Sequence, residues 1–253
     1  MPEIAPKAQA RHSAEELDAI RRYTAPTLAN AIELFGIPPT TGYCSSAMKC
    51  HYPDMPLMVG YAVTARVSTD RPPSQVRPSV HEPDYWRFVG SQPGPKVAVV
   101  QDIDVPSLGS MWGEWNSNVH KALGCVGMVT EGGARDIDAV RKLGFHYFST
   151  HVIVSHGYGA FIDYGGSVRV GGLVVNTGDL LVGDMHGVLL IPAEIPLLEL
   201  AKAAGEIDRL ESEIFTFCQS PNFNIDDLAK LDASVQKRWP KPLGSDKRIT
   251  QTA

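Results

Sequence analysis

VAVVQDIDVPSLGSMWGEWNSNVHKALGCVGMVTEGGARD, running from Val97 to Asp136, is the stretch on which the reading of the fold turns. Val97 to Gln101 is an apolar, valine-rich run of the kind that pairs into a sheet. The chain then passes Asp102, Asp104 and Pro106, reaches Gly109-Ser110-Met111-Trp112-Gly113, and enters a helix at Glu114. Trp115, Val119, Ala122 and Leu123 recur at i, i+4, i+7 and i+8, which predicts one buried stripe. Val126 to Thr130 predicts a second strand, and strand, helix, strand in that order is the beginning of an α/β arrangement.

The same stretch carries the candidate chemistry. Glu114 sits at the helix start, where the amides of Trp115 and Asn116 lack partners one turn back and the helix dipole favours an anion. Twenty residues separate Glu114 from Arg135, which Asp136 follows directly. Carboxylates hold a divalent cation while an arginine fork holds a substrate carboxylate, and together they can stabilise an enolate. That equipment points to a lyase acting on an oxo acid. Taken singly, each residue has a plainer explanation: Glu114 favours the dipole, Asp136 caps the helix that begins Ile137-Asp138-Ala139, and Arg135 pairs with a surface carboxylate. Only the combination points to a site.

Outward from this centre, residues 14–36 read as two helical pieces, with Ser13 as a candidate cap for the first and Thr24 and Pro26 starting the second. Leu57 to Val67 and Val152 to Ser155 predict further strands. Beyond residue 165 the period shortens, with Ser167 to Val170, Leu173 to Asn176, Leu180 to Val182 and Val188 to Ile191 separated by glycine-containing turns. After Pro192 a helical stripe of Leu197, Leu198, Ala201, Ala204 and Ile207 continues to about Phe217. Residues 71–95 read as a proline-rich excursion with one helical turn at 84–88. From Ser220 the chain is polar, and Leu228 and Leu231 predict a single amphipathic turn. The expected organisation is an α/β domain over residues 1–217, including the N-terminal helices, and a C-terminal arm over 218–253 that packs on a neighbouring subunit.

Composition narrows the function. The formal charge of −5 supplies no basic field for nucleic acid. Cys44, Cys50, Cys125 and Cys218 form no CxxC pair, which fits a reducing cytoplasm. Met1 to Arg11 lacks an apolar signal core, and no apolar run is long enough to span a membrane. Gly132 and Gly133 are followed by no Walker lysine, so nucleotide binding is disfavoured. His146, His151 and His156 are five apart, a spacing unsuited to a three-histidine metal site, although His151 and His156 flank Gly157-Tyr158-Gly159, a loop placed to line a substrate end. His186, between Asp184 and Gly187, reads as a turn residue.

The chain resembles the RraA-like family, which contains 4-hydroxy-4-methyl-2-oxoglutarate and 4-carboxy-4-hydroxy-2-oxoadipate aldolases. The matching residues are Trp112-Gly113-Glu114, Lys121-Ala122-Leu123-Gly124, Gly132-Gly133-Ala134-Arg135-Asp136, Gly178-Asp179-Leu180-Leu181-Val182-Gly183-Asp184 and His186-Gly187-Val188. Thr24, Asn30-Ala31-Ile32 and Gly60-Tyr61-Ala62-Val63-Thr64 fall in the same order, so the resemblance covers roughly residues 15–210. It implies a three-layer α/β/β swivelling-domain architecture with a C-terminal helical extension, assembled as a homotrimer or a dimer of trimers with sites at subunit boundaries.

The resemblance also implies roles. Asp136 helps hold Mg2+ or Mn2+, Glu114 acts through a metal-bound water, and Arg135, with Gly113 and the amides of Trp115 and Asn116, grips the carboxylate of a small 2-oxo acid. Several family aldolases carry aspartate where this chain has Glu114, a departure of one methylene. The expected activity is a divalent-metal-dependent class II pyruvate aldolase, with oxaloacetate decarboxylation as a second reaction. The rival readings are a ribonuclease E-binding regulator without catalysis, and a metal-dependent hydrolyase or decarboxylase of a sugar-derived acid.

Overall fold

The computed structural model describes residues 11–75 and 80–242. The extreme N-terminus, part of the proline-rich excursion and the last residues of the expected arm therefore lie outside the described residues. In chain order the elements are α1 (Ala14–Ile20), α2 (Ala25–Glu33), β1 (Lys49–Cys50), β2 (Met58–Ser68), α3 (Glu82–Ser91), β3 (Lys96–Asp102), α4 (Glu114–Ala122), β4 (Cys125–Thr130), β5 (Gly133–Ala134) and α5 (Ile137–Lys142). They continue with β6 (His146–Ser149), β7 (His151–Val152), β8 (Ala160–Tyr164), β9 (Val168–Val170), β10 (Leu173–Val175), β11 (Leu180–Asp184), β12 (Gly187–Ile191), α6 (Leu197–Cys218) and α7 (Ile225–Arg238). The described residues divide into two compact units, one formed by 11–13 with 42–75 and 80–193, the other by 14–41 with 194–242.

The first unit is built on a mixed, nearly closed sheet in the order β1-β6-β4-β3-β2-β11-β12. β2, β3, β4 and β6 run parallel, while β1, β11 and β12 are antiparallel to their neighbours. β2 is long enough to pair with β11 through its first half and with β8 through its second. Alternation along β3 sends Val97 and Val99 to one core, with Met58, Phe148, Leu181 and the valines of the β9–β10 hairpin. Ala98 and Val100 go to the other, with Tyr85, Trp112, Met128, Val140 and Tyr147. Helices, sheet and hairpin thus form the three layers expected of the fold.

Several local expectations need correction. The strand after α5 is His146–Ser149, and only His151–Val152 of the later run pairs, with β5. Tyr147 and Phe148 are both buried, one on each face, so the strand lacks the polar alternation that would announce it. Residues 82–91 form a full helix, because Tyr85 and Val89 one turn apart are wholly buried. Burial of such side chains contributes about 1.5–3 kcal/mol each. Gly183 and Asp184 lie within β11, and the turn falls at Met185-His186, where the His186 amide donates to Asp184 Oδ1 at 2.9 Å.

In the second unit α1, α2 and α7 pack on α6. Thr24 caps α2 by accepting from the Thr27 amide, and the Thr27 hydroxyl donates to Asp208 at 3.2 Å. Leu198 is half exposed, and the buried stripe of α6 runs instead through Leu197, Leu200, Ala204, Ile207 and Leu210. α7 is a 14-residue helix where a single turn was expected. Asn224 accepts from the Asp227 amide at 2.8 Å, and Arg238 donates to both carboxylate oxygens of Glu213 at 2.8 and 2.6 Å. A cap and a bidentate pair add to the apolar contacts of Leu228, Leu231 and Val235 in holding this helix.

Candidate active site

β3 and β4 are parallel neighbours, with Val99 opposite Val129, so the loops that leave their carboxyl ends emerge side by side. The first runs through residues 103–113 into α4, and the second through 131–136 into α5. Trp112 bridges Ala134, and the Arg135 amide donates to the Trp112 carbonyl at 3.1 Å. The hydroxyls of Ser110 and Tyr147 donate to that carbonyl as well. Segments remote in sequence are therefore joined through the backbone.

At this junction Asp136 adopts φ 55° and ψ 38°, the one non-glycine residue with positive φ among those described. Asp tolerates this region better than most residues, yet it is sparsely populated and held by its surroundings. Asp136 occupies the N-cap position of α5 but makes no side-chain cap there. Its Oδ2 accepts instead from the Glu114 amide at 2.9 Å, capping α4 from a neighbouring loop. Gly113 makes this possible: a Cβ at that position would stand 2.4 Å from Asp136 Oδ2.

Gly113, Trp115, Asn116, Arg135 and Asp136 line one cavity of about 260 Å³. Glu114 lines the adjoining cleft of about 580 Å³, which Trp115 and Asp136 share. The Arg135 guanidinium makes no ion pair or hydrogen bond with a described residue, so it is not a partner in a surface salt bridge. The α4 terminus carries no capping side chain of its own, and the amides of Trp115 and Asn116 stay available beside the one Asp136 uses. The Asn116 carboxamide, by contrast, is committed to the Met111 carbonyl at 2.6 Å.

The buried stripe expected on α4 is displaced. Trp115 is 76% exposed, and the buried residues are Ser117 and His120. Trp112, just ahead of the helix, takes the large core position, its ring 4.4 Å from that of His120. The Asn116 carbonyl can only accept, so His120 Nδ1 donates to it at 2.7 Å and Nε2 accepts from the Tyr85 hydroxyl at 3.0 Å. Burial pushes this imidazole down to about 4, and His146 is lowered to about 4 for the same reason.

A folded-state value below the unfolded one means stability that is present above about 6.5 and lost as pH falls toward 4. For His120 the loss is on the order of 3 kcal/mol. Thermal midpoints between pH 7 and 4.5 should fall in the wild type and flatten in part in His120→Gln, with His146 and His51, also lowered by burial, contributing to what remains. An unchanged slope in the variant would remove His120 as a cause.

The loop bearing the site is braced by groups that sequence patterns did not mark. Asp102 accepts from Ser107 Oγ at 2.6 Å, from Thr69 Oγ1 at 2.9 Å and from the Asp104 amide at 3.1 Å. Burial nevertheless pushes its carboxyl up. Asp104, although partly buried, is held below the ordinary carboxylate range by the amides of Asp70 and Thr69 and the Ser68 hydroxyl. Both acids are spent on the scaffold. No cluster of three or more His, Cys, Asp or Glu side chains arranged to hold a metal occurs among the described residues. Two carboxylates, Asp136 and Glu114, flank the junction, and the Oδ1 of Asp136 is not used by the Glu114 amide. His156 and Tyr158 line the Arg135 cavity, whereas His151 Nδ1 is engaged with the Thr150 hydroxyl at 2.8 Å.

Comparison with known proteins agrees with this architecture. An uncharacterized protein of Methanocaldococcus jannaschii is 30% identical over 106 residues, covering 42% of this chain and 50% of that protein. A putative 4-hydroxy-4-methyl-2-oxoglutarate aldolase of Halalkalibacterium halodurans is 31% identical over 102 residues, 39% of this chain and 47% of that protein. The chain thus spans about half the length of the curated relatives it matches. Among solved structures, Streptomyces coelicolor RraAS2, an unusual member of the RNase ES inhibitor RraA protein family, superposes with a TM-score of 0.62 at 22% identity, over 83% of this chain and 98% of that one, a likeness of fold. The family model described as Aldolase/RraA matches residues 25–190, and the chain belongs to the RraA-like family.

Proposed function

We propose that this protein is a divalent-metal-dependent carbon–carbon lyase that cleaves a 4-hydroxy-2-oxo acid to pyruvate and a second oxo acid, and that the same site decarboxylates oxaloacetate. The observation that carries the reading is the unpaired Arg135 guanidinium in one cavity with Asp136, beside the free amides at the start of α4. Arg135 holds the substrate carboxylate through a two-pronged contact, and the amides of Trp115 and Asn116 add donors in the field of the helix. Held this way, the acid has its 2-oxo group oriented toward the Asp136 side of the cavity. As the C3–C4 bond breaks, the 4-hydroxyl gives its proton to solvent and its oxygen becomes the carbonyl of the second oxo acid; the released electron pair is delocalised onto the 2-oxo oxygen, where the fixed charge of Arg135 lowers its energy, and C3 then takes a proton from solvent to give pyruvate.

Asp136 and Glu114 are the residues that would hold Mg2+ or Mn2+. Two carboxylates suit a hard cation that keeps several waters. When bound, the ion supplies the further positive charge an enolate requires. Self-association beside the site, as a trimer or a dimer of trimers, is the assembly we propose; the exposed apolar side chains Val105, Leu108, Val154 and Trp115 support a contact surface there. A solved relative is described as a member of an RNase ES inhibitor family, and ribonuclease binding is the second reading that the test below separates from catalysis.

Pyruvate release from oxaloacetate in excess of a protein-free control at the same metal concentration should depend on added Mg2+ or Mn2+, fall to the control rate with EDTA and return on re-addition. Binding to ribonuclease E should be undetectable under the same conditions. Release no faster than the protein-free control, together with ribonuclease binding, would reverse the reading.

A further inference from the structure

Arg135 and His156 are the two basic side chains lining the cavity, and they come from different segments of the chain. We propose that His156, assisted by Tyr158, receives the end of the bound acid remote from Arg135, and so selects 2-oxo acids bearing a second carboxylate. The assignment rests on the lyase reading and concerns how that site discriminates among acids.

The loop that carries His156 is held in place as a solvated loop need not be. The Ser110 amide donates to the Ser155 carbonyl at 3.0 Å, and the Tyr158 amide donates to the Thr69 carbonyl at 2.8 Å. A Cβ on Gly109 would stand 2.7 Å from the Gly157 nitrogen. Gly157 itself has φ +59°, and a Cβ there would meet the Thr69 carbonyl oxygen at 2.3 Å. Backbone is thus packed on backbone on both sides of His156. The imidazole has no hydrogen bond or ion pair with a described residue. An anchored loop presenting an uncommitted N–H donor to a cavity that already holds an unpaired guanidinium gives two donor points for one small molecule, the arrangement that distinguishes a dianion from a monoanion.

The test is calorimetric binding to the full chain with Mg2+ present, using pyruvate and 2-oxoglutarate as probes. The wild type should bind both, 2-oxoglutarate more tightly. His156→Ala should weaken 2-oxoglutarate on the order of tenfold while leaving pyruvate within about twofold, and Tyr158→Phe should show a smaller loss of the same kind. His156→Asn, which retains an N–H donor, should recover part of the difference and serves as the measurement if the alanine variant melts abnormally. Unchanged 2-oxoglutarate affinity, or equal weakening of both probes, would overturn the assignment and leave the lyase reading standing. Failure of the wild type to bind pyruvate at all would overturn the lyase reading, and this assignment with it.

Discussion

Arg135→Ala is expected to reduce pyruvate release by about 2–5 kcal/mol of transition-state stabilisation, roughly thirtyfold to several thousandfold in kcat/KM. The size follows from what the guanidinium does and does not contact. It lines the cavity with Asp136 and makes no ion pair with a described residue, so its removal breaks no salt bridge of the fold. The thermal midpoint should consequently shift little, as for surface changes away from packing and caps. Arg135→Lys keeps the charge but loses the planar fork, and should recover only a fraction of the activity. Near-normal turnover in Arg135→Ala would discard the assignment of this residue, whatever the fate of the others.

Gly113→Ala is the second variant with a large expected effect, and it separates geometry from chemistry. The added methyl would overlap Asp136 Oδ2 at 2.4 Å, while the next contacts, Asp136 Cγ at 3.4 Å and Arg135 Cβ at 3.6 Å, are tolerable. The cheapest relief is rotation of the Asp136 carboxylate away from the Glu114 amide. Loss of that cap should cost about 1 kcal/mol of stability. Catalysis should suffer more, on the order of a hundredfold, because a ligand displaced by an ångström no longer meets its partners. Activity retained at wild-type level in a folded Gly113→Ala protein would show that the Asp136 position is not needed for turnover.

Much of the fold was legible along the chain because its strands are short apolar runs punctuated by glycine. Val97–Gln101, Val126–Thr130 and the hairpin repeats beyond residue 165 appear within a residue or two of where they were expected. The failures have separate causes. His146–Ser149 is buried on both faces and so shows no period, α7 extends well beyond the turn that Leu228 and Leu231 mark because Asn224 caps its start, and the α4 stripe was assigned to Trp115 from its recurrence with Val119, Ala122 and Leu123. Trp112 is the tryptophan that is buried, and nothing local distinguishes the two.

The candidate site divides along the same line. Which residues to consider was readable from the sequence: a carboxylate at a helix start, then Arg and Asp after a second strand, carry their chemistry in their identities. Where they stand relative to one another was decided only in three dimensions. The parallel pairing of β3 with β4 sets the two loops side by side, the left-handed backbone of Asp136 turns its carboxylate to the neighbouring helix, and the close approach at Gly113 leaves room for it. His156 enters the same cavity through a loop anchored on Thr69 and Ser110, a contact between segments far apart in the chain that no spacing within either one encodes. Residue identity fixes the available donors and charges, while strand pairing and backbone packing fix the distances at which they act.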